Sequence, residues 1–486
     1  MKKNNFGFIA LLFAASFCLV SCSKELSDVE GPVNGYRISI PVRALATKAV
    51  AEGNGEASFK TTENVYVYNR TTKTMDDAVL HPADDAASTT FEGTLNKTYS
   101  EGDNLLILYN TSSNGVVDYS AQDGSIANVK DAGKGEVSIS SISEDVINTG
   151  AADIENLQSI FRFVFKAGGT ELSGIRFVRI FSSNNKLQTQ YDVVKDTPTY
   201  GPITISGSTD LEDSDHYLYA GLRFAANPDD EIVFQVVTSD GKVYSGSKNA
   251  PSAGFVNGKF YKSTVNVNLY TFTVSSEKTV CFSPGDLGVD NGVYSFTEPF
   301  VTWGWKATST STAKRVWFNY SEITSGLDIC GIDWRNPNSL TTSTSTPRPQ
   351  EWESIIARTN MNSGVDPYYW VTVSNHANCL LLPPDETQAS DIGEDLASGA
   401  VTDYTKYLGK GFVLLISTGR ATYQNKLSWG MDAQGFYWAL WNNMSRNRTY
   451  FYWKLNSDGS HSGPEVSWAT SQFRMRVRLI HDVTVE

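Results

Sequence analysis

The chain has 486 residues, of which 53 are acidic and 40 are basic, so its formal net charge at pH 7 is −13. This acidic balance argues against nucleic acid and anionic membrane surfaces as partners. The length allows several domains, and five cysteines are too few for a disulfide-stabilised scaffold of this size.

The first 21 residues are typical of a bacterial lipoprotein signal peptide. Two lysines precede an apolar run at residues 6–20, which is short for a membrane span. The run ends in LVSC, a lipobox, so Cys22 is predicted to be acylated, with palmitate among its acyl chains, and to become the first mature residue. An ordinary secretory signal is the alternative. The polar residues 22–35 are expected to form a tether.

The first predicted element of the mature chain is a strand with strict alternation, YRISIPVR. Its apolar positions fall on one face and are expected to point inwards: Tyr36, Ile38, Ile40 and Val42. Pro41 lacks a backbone N–H and therefore favours a position at the edge of a sheet.

The strand runs directly into a candidate protease site. Small residues surround two basic ones, so a trypsin-like or Arg-specific protease is expected to cut between Arg43 and Ala44. The second choice is the bond between Lys48 and Ala49. An ordinary first strand followed by a linker is the alternative reading of this stretch.

Short strands are predicted throughout the next part of the chain. Runs rich in β-branched and aromatic residues occur at 63–69, 104–110, 159–168, 174–182, 231–239 and 260–270. Asp240-Gly241 is typical of a type I′ hairpin turn. This spacing favours antiparallel β-sandwiches.

Composition changes sharply near residue 272. All 11 tryptophans lie between Trp303 and Trp468, which indicates a domain boundary before them. Within the earlier part, the Gly-, Ala- and Asp-rich residues 143–158 mark the best internal boundary. The predicted domains are 36–148, 149–272 and 273–486.

The C-terminal part is predicted to be a mixed α+β domain. Trp352, Ile355 and Ile356 have helical spacing within TPRPQEWESIIARTN, residues 346–360. Strand-like runs follow at 410–418, 435–443, 450–456 and 473–481.

Tryptophan beside polar donors is the best signal for a binding site in this domain, because aromatic rings supply large, rigid contact areas. The candidate ligand-binding residues are Trp303, Trp305, Trp438, Trp441, Asn442, Arg446 and Arg448. The alternative is that most of these tryptophans belong to the core.

We find no signal for catalysis. The five histidines form no zinc motif, and no nucleophile elbow or phosphate-binding loop is present. The acidic residues 385–395 could bind calcium, but a solvated loop is the simpler interpretation. Cys281, Cys330 and Cys379 allow one disulfide with one free thiol, or three buried thiols. No metal, cofactor or enzymatic activity is therefore predicted.

Several features of the first half together carry a family resemblance: the lipobox cysteine, the early alternating strand, TKA at 47–49, ASFKTTENVYVYN at 57–69 and VNGKFYKSTVNVNLY at 256–270. With them, residues 22–272 resemble the fimbrillins (Mfa-like and FimA-like), two-domain pilus subunits of anaerobic gut and oral bacteria. The resemblance implies two transthyretin-like antiparallel β-sandwich domains. It also implies that the early strand fills a groove in its own domain until a protease removes it, after which a neighbouring subunit donates a replacement.

The second half carries a different resemblance, spread over TVCFSPGDL, WGW, PRPQEWESIIA, CLLLP, GFVLLISTGR, GFYWALW and RMRVRLIHDV in this order. These segments resemble a "major paralogous" domain appended to bacterial surface lipoproteins, related to the formylglycine-generating-enzyme and C-type-lectin-like folds. In that fold the EWE segment opens a helix and the final Arg-rich strand closes the sheet.

The resulting expectation is a mostly β fimbrial subunit of the outer membrane and cell surface, a tip or accessory adhesin. Its expected partners are other fimbrial subunits by β-strand donation, a glycan or surface protein bound by the C-terminal domain, and a membrane through the lipid anchor only. The alternative is a monomeric outer-membrane lipoprotein that binds glycans. A sulfatase-maturase-like enzyme is disfavoured because no active site can be assigned.

Overall fold

The chain is described by a computed structural model. It covers residues 35–44, 58–129, 131–225, 231–298, 314–323, 326–338, 350–373, 376–417, 419–422, 427–429, 433–439, 447–470 and 473–484. The described residues are mostly β-strand, with three short α-helices. None of the helices found in these ranges has the length and apolarity needed to cross a membrane.

Eleven strands come from the first 156 residues. They are β1 (Tyr36–Ala44), β2 (Val65–Asn69), β3 (Thr74–Met75), β4 (His81–Pro82), β5 (Ser88–Leu95), β6 (Asn104–Tyr109), β7 (Val116–Asp118), β8 (Ala121–Gln122), β9 (Gly133–Ser143), β10 (Val146–Thr149) and β11 (Ala152–Asn156).

Nine of these strands form one continuous sheet that folds over a core of its own. The order is β3-β2-β6-β9-β10-β1-β5-β4, with β11 beside β1 and β9. The inward residues of β1 and β5 meet those of β2, β6 and β9 in this core, which also holds Phe59 and Tyr99. The sheet therefore extends beyond the predicted boundary at residue 148, since β11 pairs with β1 and β9.

The second sandwich contains a further eleven strands. They are β12 (Ser159–Ala167), β13 (Thr170–Glu171), β14 (Ile175–Ser182), β15 (Gln188–Asp192), β16 (Thr197–Tyr200), β17 (Ile203–Ser206), β18 (Leu218–Leu222), β19 (Glu231–Thr238), β20 (Val243–Asn249), β21 (Phe260–Asn266) and β22 (Asn268–Leu269).

The pairing in this sandwich is mixed rather than purely antiparallel. The β19–β20 hairpin forms at Asp240-Gly241 as predicted, but of these two residues only Gly241 has a positive φ, +75°, so the turn is not of the predicted type I′. However, β21 pairs parallel to β12, and in the first sandwich β10 and β11 pair parallel to β1. The expectation of antiparallel sandwiches was therefore wrong for these pairs, because strands far apart in sequence become neighbours.

The first two units share contacts. Strands β7 and β8 belong to the first part of the chain but pair with β15 and β17 of the second sandwich. Leu106 and Leu108, on the outer face of β6, pack into the apolar core of the second sandwich.

The C-terminal part has seventeen strands and three helices among its described residues. The strands are β23 (Phe272–Ser275), β24 (Lys278–Asp290), β25 (Val293–Phe296), β26 (Phe318–Asn319), β27 (Leu327–Ile329), β28 (Ile332–Trp334), β29 (Tyr369–Val373), β30 (His376–Leu382), β31 (Ala400–Val401), β32 (Val413–Leu415), β33 (Arg420–Thr422), β34 (Leu427–Trp429), β35 (Gln434–Trp438), β36 (Asn447–Leu455), β37 (His461–Thr470), β38 (Phe473–Met475) and β39 (Arg478–Val483). The helices are α1 (Glu351–Ile356), α2 (Glu394–Ala397) and α3 (Thr405–Leu408).

One expectation for this part is confirmed and a second is confirmed in part. The EWE segment opens α1, where Trp352 lies in the core and stacks on Phe451 with ring centroids 4.4 Å apart. The Arg-rich end forms two strands instead of the predicted one, β38 and β39, and β39 pairs with β24. Asp286 of β24 is buried and pairs with Arg476 and Arg478, at 2.9 and 3.3 Å.

The C-terminal part packs tightly on the second sandwich. Arg179 of β14 is buried, and its guanidinium donates to the carbonyls of Pro284, Phe296 and Thr297 at 3.0, 2.7 and 3.2 Å. Burial lowers the pKa of Arg179 to about 10, and the side chain therefore stays charged at pH 7. The charge is compensated by carbonyl dipoles of the neighbouring unit.

Candidate functional site

Strand β1 contributes a row of buried side chains to the first sandwich. The alternation predicted this face, and the exposed fractions of its members are very small: Tyr36 5%, Ile38 3%, Ile40 0% and Val42 2%. Full burial of such a side chain stabilises a fold by about 1.5–3 kcal/mol. The row is therefore a major part of the core of this domain.

The pocket for the first member of the row is built from polar and aromatic groups. Tyr36 packs edge-on against Tyr99, with ring centroids 5.9 Å apart. The Tyr99 hydroxyl donates to the buried Asp76 carboxylate at 2.7 Å, and burial together with this bond raises the pKa of Tyr99. Asp76 also accepts from the backbone N–H groups of Asn96 and Lys97, so the pocket wall is fixed.

The predicted edge position of β1 is wrong. Residues Tyr36–Arg43 pair antiparallel with β5 along their whole length. On the other side β1 pairs in parallel with β10 and then with β11. The strand therefore occupies a slot between two ladders.

Pro41 is accommodated by a break in that second ladder. The Arg37 N–H donates to the Asp145 carbonyl, on the β10 side. Because the direction of N–H groups alternates along a strand, position 41 also faces this side. There it lies between the last β10 pairing, at Ile38, and the first β11 pairing, at Val42. No ladder hydrogen bond is needed at this point, so an interior proline is tolerated.

The first candidate cleavage bond lies at the end of β1. Arg43 pairs with Ser88 and Asp153, and its exposed side chain is 3.6 Å from the Asp153 carboxylate. Ala44 is the last residue of the strand. Cleavage here requires the end of the strand to open, because a protease binds an extended backbone without ladder partners. Lys48, Ala49 and Cys22, the predicted acylation residue, lie outside the described residues.

The predicted ligand residues do not converge on a described surface. Trp438 has an exposed fraction of 0%, and its indole N–H donates to the Phe318 carbonyl at 2.7 Å, so the prediction that it contacts ligand is corrected to a core role. Arg448 lies in β36 with its guanidinium 4.8 Å from the Tyr320 ring centroid. The remaining candidates lie outside the described residues: Trp303, Trp305, Trp441, Asn442 and Arg446.

Most tryptophans whose side chains are described belong to the core, in agreement with the alternative interpretation. The exposed fractions are 2% or less for Trp317, Trp334, Trp352, Trp438 and Trp453. Among the tryptophans whose side chains are described, Trp370 alone is half-buried. It lies in DPYYW, residues 366–370, where three aromatic residues follow a Pro-containing turn, and this cluster could have indicated a site.

The acidic residues 385–395 are used structurally. Asp385 pairs with Arg358, Asp391 with Lys410 and Asp395 with Lys406. Within the described ranges no group of three or more potential ligand side chains is arranged to hold a metal ion. Cys281 and Cys330 are free thiols, and Cys379 is buried.

No protein-family model matches the chain, and a search of curated proteins found no match. Several solved structures are similar to about half of it. A candidate cell adhesion protein from Bacteroides uniformis is 16% identical, with 49% of this chain and 97% of that chain covered and a TM-score of 0.32. A second candidate cell adhesion protein, from Parabacteroides distasonis, is 13% identical, with the same coverage and a TM-score of 0.29.

A third similar structure is the tip fimbrial protein Mfa3 from Porphyromonas gingivalis, with a C-terminal truncation. It is 10% identical, with 48% of this chain and 98% of that chain covered and a TM-score of 0.28. At TM-scores below 0.5 and identities below 25%, these similarities define neither the fold nor the function of the chain.

Proposed function

We propose that the chain is an exported lipoprotein of the cell surface that assembles into fimbriae as a tip or accessory adhesin. A protease cuts after β1, the strand leaves its slot, and a neighbouring subunit donates a replacement strand. The C-terminal domain then contacts a glycan or a surface protein. The protein acts by binding, without a cofactor and without catalysis.

The observation that carries this proposal is the environment of β1. Four fully buried side chains and two backbone ladders hold a strand that joins the rest of its domain covalently through residues 45–57 alone. A cut at the Arg43–Ala44 bond, or in that segment at Lys48–Ala49, leaves the strand held by non-covalent contacts. Its departure leaves the facing backbone edges of β5, β10 and β11 without partners and opens apolar pockets. An incoming strand can fill the pockets and pair with these edges.

The connection between the second and third units supports an accepting rather than a donating subunit. Strand β21 continues through β22 into β23, and Phe272 of β23 lies in the C-terminal core. The adjoining Thr271 donates both its N–H and its hydroxyl to Glu386, at 3.0 and 2.6 Å. The end of the second sandwich is therefore fixed by the following domain and is poorly suited to donation.

The pairing of β1 on both sides also favours the second candidate function, a monomeric outer-membrane lipoprotein that binds glycans. A strand held in the middle of a sheet is harder to release than an edge strand. In this alternative β1 stays in place and the first sandwich only carries the binding domain.

Removing both basic residues distinguishes the two functions. The double variant Arg43→Ala with Lys48→Ala is expected to give a folded lipoprotein that retains residues 36–44 and never enters a polymer. Arg70→Ala with Lys97→Ala, two exposed basic residues of the same sandwich, serves as the matched control. Immunoblots of purified fimbriae and mass spectrometry of the subunit N-terminus provide the readout. Assembly of the double variant with β1 retained would eliminate strand exchange.

The lipid anchor is tested separately. Cys22→Ala should abolish labelling by a fatty-acid analogue and release the chain from membranes, because the lipobox has no other acceptor thiol in the mature region next to it. A variant that remains acylated would show that the signal was misread.

A further inference from the structure

A wide pocket opens beside β29 in the C-terminal part of the chain. Its volume is about 410 Å³, within the range of small-molecule sites. Strand β29 and the residues just before it form one wall, the end of α2 and the segment after it form a second, and β30 and β37 contribute one residue each. The residues used below are Asp366, Tyr368, Trp370, Asn378, Ser398 and His461.

Three aromatic side chains form a preassembled wall. Trp370 and His461 are stacked, with ring centroids 4.1 Å apart and an interplanar angle of 11°. Tyr368 meets Trp370 edge-on, at 6.0 Å and 87°. Tyr368 and Trp370 are half-buried and also pack on the apolar core, so the wall is held in place before any ligand arrives.

Polar groups surround this wall. Asn378 is 4% exposed, and its Nδ2 donates to the Ala433 carbonyl at 2.7 Å. Its Oδ1 makes no hydrogen bond within the described part of the chain. The Asp366 carboxylate and the Ser398 side chain are further lining groups. Hydroxyl groups of a ligand can pair with the Asp366 carboxylate and the Ser398 hydroxyl.

The charge of the lining limits the ligand class. Asp366 is acidic, and the lining contains neither lysine nor arginine. Partial burial lowers the pKa of His461, so its imidazole is neutral at pH 7. An anionic ligand would meet a carboxylate and no cation, whereas an uncharged polyol would meet complementary groups.

We propose that this pocket binds a neutral hexose residue of a surface glycan, with the C–H face of the pyranose ring against the wall formed by Tyr368, Trp370 and His461. Aromatic faces are negative and attract the weakly positive C–H groups of a sugar. The hydroxyls then pair with the Asp366 carboxylate and the Ser398 hydroxyl. The inference rests on the proposed adhesive role and assigns that role to residues outside the candidates drawn from the sequence.

A glycan array probed with the full-length chain in detergent tests the ligand class, and titration calorimetry with the best neutral glycan gives its Kd. Trp370→Ala should weaken binding at least ten-fold, equivalent to about 1.4 kcal/mol, and Trp370→Phe should recover part of it. His461→Ala, an exposed position, should also weaken binding and covers the case in which Trp370→Ala fails to fold. Tyr200→Ala, a 38% exposed aromatic of the second sandwich, is the control.

Binding of hexose-terminated neutral glycans that depends on Trp370 and His461 supports the inference. It is overturned if the array retains no glycan, if only sialylated or sulfated glycans bind, or if both variants keep the wild-type Kd. Fimbrial incorporation of the wild type and of the Trp370→Ala and His461→Ala variants is measured in parallel. Incorporation without glycan binding by the wild type refutes only this site, whereas glycan binding without incorporation refutes the fimbrial role.

Discussion

Ile40 lies at the centre of the buried row of β1, with an exposed fraction of 0%. Ile40→Ala is expected to destabilise the first sandwich by about 2–5 kcal/mol, because it removes three methyl or methylene groups and leaves a cavity. Ser39→Ala on the exposed face of the same strand should change stability by less than about 0.5 kcal/mol. Hydrogen exchange of peptides covering 36–44 and 88–95 measures the difference. Equal protection from exchange in the two variants would contradict the conclusion that Ile40 points into the core and Ser39 towards solvent.

The sequence allowed us to predict which side chains of β1 are buried, but not which side chains of β35 are buried. The alternation in YRISIPVR identified the buried face because the opposite face is exposed to solvent. In β35 four consecutive residues, Gly435 to Trp438, are buried, so both faces of the strand are covered. Trp438 was predicted to bind ligand because it lies near polar donors in the sequence, and that composition signal cannot show that both faces of its strand are covered.

At the scale of elements, strand existence was predictable and strand neighbours were not. The runs at 63–69, 104–110 and 174–182 became β2, β6 and β14. The partners β10 and β11 of β1 lie more than 100 residues away in sequence, inside a stretch that composition alone marked as a domain boundary. Such non-local pairing depends on the whole topology, so no local pattern could indicate that β1 is interior.

The burial of β1 between two ladders predicts that the cleaved protein is less stable than the intact chain. Loss of four buried side chains, each contributing about 1.5–3 kcal/mol, should destabilise the first sandwich strongly. A synthetic peptide of residues 36–43 added in excess should restore the unfolding temperature, because it binds the folded state only. The same peptide with Ile38→Asp and Ile40→Asp should have no effect, since it places charges in the core. Differential scanning calorimetry measures the three cases. Equal stability of cleaved and intact chains would mean that β1 does not support the fold.

At the scale of the whole molecule, the second and third units share an apolar core. Phe177, Val237 and Val243 of the second sandwich share an apolar cluster with Leu287 and Trp334 of the C-terminal part. The tryptophan distribution predicts a change of domain near residue 272, where β23 begins, and this boundary stays a prediction. It could not show that the two cores are continuous, because composition carries no information about contacts.

Arg179 provides a test of this coupling. Arg179→Met should lower the free energy of unfolding of the C-terminal part by about 3 kcal/mol, because three buried carbonyls lose a charged donor. All tryptophans lie after residue 302, so tryptophan fluorescence reports on the C-terminal part although the substitution lies in the second sandwich. Arg70→Met, an exposed position of the first sandwich, is the control. An unchanged tryptophan transition in Arg179→Met would show that the interface contributes little.

The central claim is that β1 must leave its slot for assembly, and a reversible lock on the strand tests it most directly. Ser39 of β1 and Glu92 of β5 are directly paired on the exposed face, so Ser39→Cys with Glu92→Cys can form a disulfide across the two strands. Lys166→Cys with Glu171→Cys, paired in the second sandwich, is the matched control. The measurement is the fraction of subunit incorporated into fimbriae with and without reductant. We expect the oxidised 39–92 pair to stay out of fimbriae and to enter them after reduction, with the control pair assembling in both states; equal incorporation of the oxidised 39–92 pair would contradict strand exchange.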